Sequence, residues 1–254
     1  MKSFLPAFLL ILFFSILSCS EPKKPIPQVN PEFKAVLDAH GDWSKWVNAK
    51  AMSYAMIHET NLTLENHFIN LGSRHTRIDG SMFQIGFDGD SVWISPNREA
   101  FEGNSVRFYH NLYFYFYSIP YIFTDPGVTV EKVADRTLNG KTYKTLQAKM
   151  AEGTGQSSKD QYFMLIDSAT NMVEYLLYTV TYFDNPNPTF SALKYEDYRD
   201  AGGIKFPRVL TGYTLENDST KGIRYQVSFG DVLLLDEEFE ESLFEKPKGA
   251  IFAN

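Results

Sequence analysis

The chain has 254 residues, 44% hydrophobic and 22% charged, which is ordinary globular material with enough apolar content for a sizeable core. A formal net charge of -7, with no basic run beyond Pro22-Lys-Lys-Pro25, excludes the electrostatic footprint of a nucleic-acid partner. The single cysteine, Cys19, excludes an internal disulfide framework and any catalytic thiol in the body of the chain.

Lys2 precedes an apolar run from Phe4 to Leu17. That run is too short for the roughly 20 residues of a spanning helix but right for a secretory signal. It ends in Ile16-Leu17-Ser18-Cys19, which resembles the bacterial lipobox. The resemblance implies cleavage before Cys19 and lipid attachment to it, and more than one acyl chain on a residue gives stable anchoring. Residues 1–18 are thus expected to be a leader, 19–29 a proline-rich tether and 30–254 one folded domain.

Asn30-Pro31 predicts a helix start, with Asn as cap and Pro at the first helical position. Phe33, Val36 and Leu37 form the apolar face of this helix, and Gly41 stops it. Trp43 and Trp46 follow and are expected to seal a sheet edge or end. Strands are expected at Ala51–His58, Asn61–Asn70 and Ser73–Ile78. A hairpin then joins Met82–Phe87 to Ser91–Ser95 through Asp88-Gly-Asp90, and a second joins Thr129–Thr137 to Lys141–Met150 through Asn139-Gly140.

Between these hairpins runs an aromatic segment, Asn104 to Pro120. On a helix, Phe108, Leu112, Tyr115 and Ile119 form one stripe, and Val106, Tyr109, Tyr113 and Phe116 a neighbouring one. A helix this apolar must be covered on several sides. Either it plugs a curved sheet, or it shares its aromatic surface between sheet and ligand; a strand over Tyr113–Tyr117 is a third reading. Tyr121-Ile-Phe123 is expected on a loop, folded under or exposed to a membrane or partner.

From Gln161 the pattern becomes consecutive antiparallel strands. Gln161–Ile166 and Met172–Phe183 flank the polar turn Asp167–Asn171. Ala192–Tyr198 and Ile204–Leu215 follow, and aromatic and β-branched residues dominate these runs, as a largely covered pleated surface requires. Asp218–Gly222 is expected to be a turn. After it, Ile223, Tyr225, Val227 and Phe229 alternate with polar residues as in a half-buried strand. The tail carries acidic residues around Phe239, Leu243 and Phe244, expected as a short docking helix.

Residues that would signal chemistry are scattered. The five histidines, His40, His58, His67, His75 and His110, show no metal spacing such as His-Glu-x-x-His. Asp88-Gly-Asp90 lacks the bidentate Glu of a calcium loop. Gly153-Thr-Gly155 lacks the lysine and helix of a phosphate loop. No serine stands in a nucleophile elbow. Neither an enzyme nor a cofactor or metal site is expected.

The order of parts resembles the outer-membrane lipoprotein carriers and receptors of the LolA/LolB-like superfamily. The resemblance rests on Phe87-Asp-Gly-Asp-Ser-Val-Trp-Ile94, on Tyr162–Asp167 with Thr170-Asn171, on Tyr195-Glu-Asp-Tyr198 with Gly203–Pro207, and on Leu243–Gly249. It implies a mainly β (α+β) fold: an antiparallel curved sheet forming an incomplete β-barrel wrapped around a few helices, with an apolar groove for acyl chains. Phe83, Ile85 and Phe87, sharing one side of their strand, and Phe108, Leu112 and Tyr115 are the expected ligand-binding residues, facing one another across the groove. The expected protein is monomeric and anchored in the outer membrane through Cys19, and binds an acyl chain or lipoprotein. The carriers are soluble, so the anchor points to the receptor type. The bulk of Phe108–Tyr117 leaves a second expectation, an envelope interaction lipoprotein with a filled core and no ligand.

Overall fold

The computed structural model describes residues 24–151, 159–183 and 188–253. Helix α1 (Pro31–Ala39) begins at Asn30, whose side chain accepts from the Phe33 amide at 2.8 Å, and its buried residues are Phe33, Val36 and Leu37. Gly41 ends it at φ +109°, where an added Cβ would strike the Gly203 carbonyl. A short helix, α2 (Ser44–Asn48), follows and buries Trp46. Trp43 and Trp46 do not seal a sheet edge; both belong to the main core, and Trp46 stacks on Phe114 and Tyr121.

The strands come in two antiparallel meanders. The first is β1 (Ala51–His58), β2 (Thr63–Asn70), β3 (Thr76–Gly80), β4 (Gln84–Phe87) and β5 (Val92–Ser95). After it come a 3-10 turn (Arg98–Ala100), the aromatic helix α3 (Val106–Tyr117) and a second 3-10 turn (Tyr121–Thr124). The second meander is β6 (Val128–Leu138), β7 (Lys141–Met150), β8 (Tyr162–Ile166), β9 (Val173–Tyr178), β10 (Ser191–Asp200), β11 (Lys205–Glu216) and β12 (Ser219–Leu235). A last 3-10 turn (Glu241–Leu243) leads to β13 (Ile251–Phe252).

Strand β1 pairs with β12, fusing both meanders into one 13-stranded sheet in the order β13-β5-β4-β3-β2-β1-β12-β11-β10-β9-β8-β7-β6. The sheet is antiparallel throughout and open at both ends, so the expected fold class, a curved sheet around a few helices, is the one observed. Bulges bend it. One sits where Tyr54 faces Asp231 and Val232, with Asp231 at φ +51°, and another lies between Val133 and Arg136. This topology has a direct consequence for α3. Its segment must connect β5, near one edge of the sheet, to β6 at the other edge, and so crosses the concave face.

The main core occupies much of that concavity. It joins α1, Trp46, Phe114, Tyr117 and Tyr121 to inward side chains such as Met52, Met56, Met164, Leu176, Leu193, Phe206 and Phe229. On β8 and β9 the alternate residues Phe163, Leu165, Tyr175 and Leu177 form a second cluster with Leu138, Tyr143 and Ala192. Phe190 packs on it, and Arg136 lies 3.9 Å from the Phe163 ring centre. Both faces of these strands are covered, which accounts for their unbroken apolar runs.

Several boundaries differ from expectation. Tyr121, Ile122 and Phe123 form a 3-10 turn in place of the expected loop, and of the two expectations for them the folded-under one holds, since all three are buried. The Tyr121 hydroxyl lies 2.9 and 2.6 Å from the carbonyls of His40 and Lys205, with its single proton shared between them. The strand expected to reach Phe183 ends at Tyr178. The turn expected at Asp218–Gly222 is instead the pair Asn217-Asp218, both with positive φ, a two-residue hairpin loop that leaves Ser219 paired with Glu216. Ile223 is exposed, not half-buried. The tail forms a 3-10 turn and then adds β13 to the edge of β5, and the Trp93 indole N–H donates to the Phe244 carbonyl at 2.7 Å.

Candidate functional site

Helix α3 starts at Ser105, whose hydroxyl accepts from the Phe108 amide at 3.1 Å. From there its two stripes go to different places. Val106 and Tyr109 join an apolar cluster with Ile78, Ile85, Val92, Ile94 and Phe101 from the β3–β5 region. Phe108, Leu112, Tyr115 and Ile119, with Phe116 beside them, line a cavity of about 640 Å³.

The cavity lies between that side of α3 and the β6–β9 end of the sheet. Trp46 comes from α2, and Ile122 and Phe123 from the 3-10 turn. Val128, Met150, Tyr162 and Tyr178 come from four successive strands, β6 to β9. The walls are predominantly apolar, and the volume falls within the roughly 300–1,000 Å³ typical of small-ligand sites. The rim is more polar, with Lys24, Arg74, Asp125 and Asp160. Arg74 is held in place: its guanidinium pairs with Asp125, donates to the Leu71 carbonyl at 2.6 Å and lies 5.4 Å from the Phe114 ring centre. Burial raises the Asp125 carboxyl above its usual range, opposed by Arg74.

The six expected ligand residues are therefore not brought together. Phe108, Leu112 and Tyr115 line the cavity. Phe83, Ile85 and Phe87 lie with the other stripe, in the β3–β5 cluster, where no gap separates them from the helix. Phe83 meets Phe101 edge-on at 5.2 Å, and Phe87 lies 5.3 Å from His110. The two sets thus lie on different sides of α3, Phe83, Ile85 and Phe87 with Val106 and Tyr109, and Phe108, Leu112 and Tyr115 toward the cavity, so they do not face one another across one groove. Cys19 lies outside the described residues. The wall residues from β6–β9 carry no distinguishing mark in the sequence, and Trp46, Ile122 and Phe123 stand out there only as apolar residues, not as ligand contacts. An apolar character alone does not separate such wall residues from the core, to which Trp46, Ile122, Phe123 and Tyr178 also belong.

A buried polar relay sits between the first meander and α3. The Glu65 carboxylate accepts from the His67 Nε2–H at 3.0 Å and from the Tyr109 hydroxyl at 2.7 Å, with His58 Nε2 at 3.2 Å. Tyr54 extends the chain to His67 Nδ1 at 3.1 Å. Burial pushes the Glu65 carboxyl up, but the bonds from His58, His67 and Tyr109 outweigh it and hold the group at about 2. Fixing β1, β2 and α3 together is a sufficient role for this relay, none of whose members lines the cavity. Among the described residues no group of three or more His, Cys, Asp or Glu could hold a metal ion, and no helix is long and apolar enough to cross a membrane.

Comparison with known proteins gives three findings. No curated protein matches the chain. Among solved structures it is similar to a LolA superfamily protein from Nitrosomonas europaea, at 9% identity, covering 84% of this chain and 97% of that one with a TM-score of 0.49. It is also similar to a DUF1329 family protein from Desulfovibrio piger, at 10% identity, covering 85% and 98% with a TM-score of 0.49. Residues 92–219, from β5 to the start of β12, match a family of unknown function, DUF6503.

Proposed function

The chain belongs to the family of unknown function DUF6503, and from that premise we propose that it is a lipid-anchored envelope protein that takes an acyl chain, free or carried on a lipoprotein, into the cavity beside α3. The observation that carries this reading is the cavity itself, about 640 Å³ with mainly apolar walls. An acyl chain there gains about 0.8 kcal/mol for each methylene it buries. A chain of roughly sixteen carbons gains on the order of 10 kcal/mol before ordering costs. Phe108, Leu112 and Tyr115 are its contacts on the helix, and Phe83, Ile85 and Phe87 support the helix from behind. Binding, not catalysis, is the role these walls suit. Cys19, by its lipobox, is the attachment site of the anchor in the outer membrane, with residues 19–29 as tether and the rest as one monomeric domain.

The test is native mass spectrometry of detergent-free Cys19→Ala protein, with displacement of a fluorescent fatty acid from Leu112→Trp. Bound acyl mass and a displaceable signal are the expected result. Unliganded protein without displacement, together with a Leu112→Trp variant destabilised by about 1–3 kcal/mol through overpacking, would leave the ligand-free interaction lipoprotein as the better reading.

A further inference from the structure

We propose that the mouth of the cavity is a bilayer-facing surface, held against the membrane by the way the tether leaves the domain. This rests on the anchor at Cys19 proposed above. Lys24, Pro25 and Pro27 themselves line the cavity, and the Lys24 amide donates to the Asn48 side chain at 2.9 Å, so the tether is rooted at the rim, beside the start of β1. Cys19 precedes Lys24 by five residues, which reach at most about 18 Å fully extended. The opposite end of β1 and β2 lies farther than that. Seven residue steps from Ala51 to His58 span about 23 Å, and the hairpin tip lies beyond them. If that tip touched the bilayer with the strands upright, Lys24 would stand farther from the surface than the tether allows.

The side chains at the mouth suit a lipid surface. Ile26, between the two rim prolines, is 46% exposed. Phe183 is 51% exposed and packs on the cavity residue Phe108, ring centres 5.0 Å apart, with Tyr182 at the same distance from Phe108. Lys24 adds a cation suited to an anionic headgroup region. In this orientation an acyl chain passes between bilayer and cavity without crossing water, and the hydrophobic cost of exposing it is avoided.

The experiment uses the mature lipidated protein, its mass verified, in phosphatidylcholine–phosphatidylglycerol vesicles containing a nitroxide-labelled phospholipid. With Cys19 blocked by lipid, Gly72→Cys at the rim and Met82→Cys at the far end each carry one fluorophore. Met82, in the β3–β4 turn, is 75% exposed and Gly72 is exposed as well, so both sites accept a label. Quenching at position 72 is expected to exceed that at position 82 several-fold, and a long Gly/Ser insertion after Ser20 to reduce the difference. Vesicle-bound protein quenched equally at both sites, or more at position 82, overturns the orientation while leaving anchor and cavity intact. Protein that fails to float with the vesicles overturns the anchor and the orientation with it. Fatty-acid displacement in solution reports on the cavity independently of both.

Discussion

The Tyr117 ring lies flat against Phe229, centroids 3.9 Å apart and planes 8° from parallel. Phe229 is on β12 beside its junction with β1, and Tyr117 is the last residue of α3, so this stack fixes the helix at the seam between the two meanders. Phe206 and Tyr54 surround it at 5.2 and 4.9 Å. Tyr117→Ala removes the plug of a fully packed site and should cost about 3–5 kcal/mol in urea denaturation, whereas Tyr117→Phe should be nearly neutral. A loss below about 1 kcal/mol for the alanine variant would show that the seam is not held here.

Glu65 predicts an acid-sensitive join. Its folded-state carboxyl sits at about 2 against an ordinary 4.5, because the bonds from His58, His67 and Tyr109 more than offset burial. The resulting stabilisation is present above about pH 4.5 and is lost as pH falls through the folded value. Glu65→Gln should therefore lie well below wild type in melting temperature near neutral pH, and the two curves should converge as pH falls toward about 2. A gap independent of pH would assign the effect to packing alone.

His40 and His110 act in a higher window. Burial lowers both to about 4, despite the carbonyls of Val36 and Arg107 that each Nδ1 faces at 2.7 and 2.6 Å. Unfolded, each takes its proton near pH 6.5. The stability of their neutral forms is thus complete above about 6.5 and declines as pH falls toward 4. His110→Phe, which keeps a ring against Phe87, should flatten that part of the stability–pH profile. An unchanged slope between pH 6.5 and 4 would contradict the assignment.

Gly86 predicts a steric coupling on β4. An added Cβ there would stand 2.2 Å from the Trp93 ring, which is fully buried. Gly86→Ala should cost about 1–3 kcal/mol through overpacking, and adding Trp93→Leu should recover part of that loss. Strictly additive losses in the double-mutant cycle would mean that the two residues do not compete for this space.

What the sequence determined by itself was set by a few adjacent residues. Asn30-Pro31 starts α1 where expected because the cap bond and the proline φ are local properties. Asn139-Gly140 turns β6 into β7 with both residues at positive φ for the same kind of reason. The two stripes of α3 were also legible, since a 3.6-residue period needs only the order of side chains. Tertiary structure alone decided which stripe would meet packed protein and which a void. That depends on β5 and β6 lying toward opposite edges of the sheet, on the bulges that curve it, and on walls drawn from elements as far apart as Trp46 and Tyr178. An apolar residue looks the same in sequence whether its surface is matched by a neighbour or left open, because complementarity belongs to pairs of surfaces.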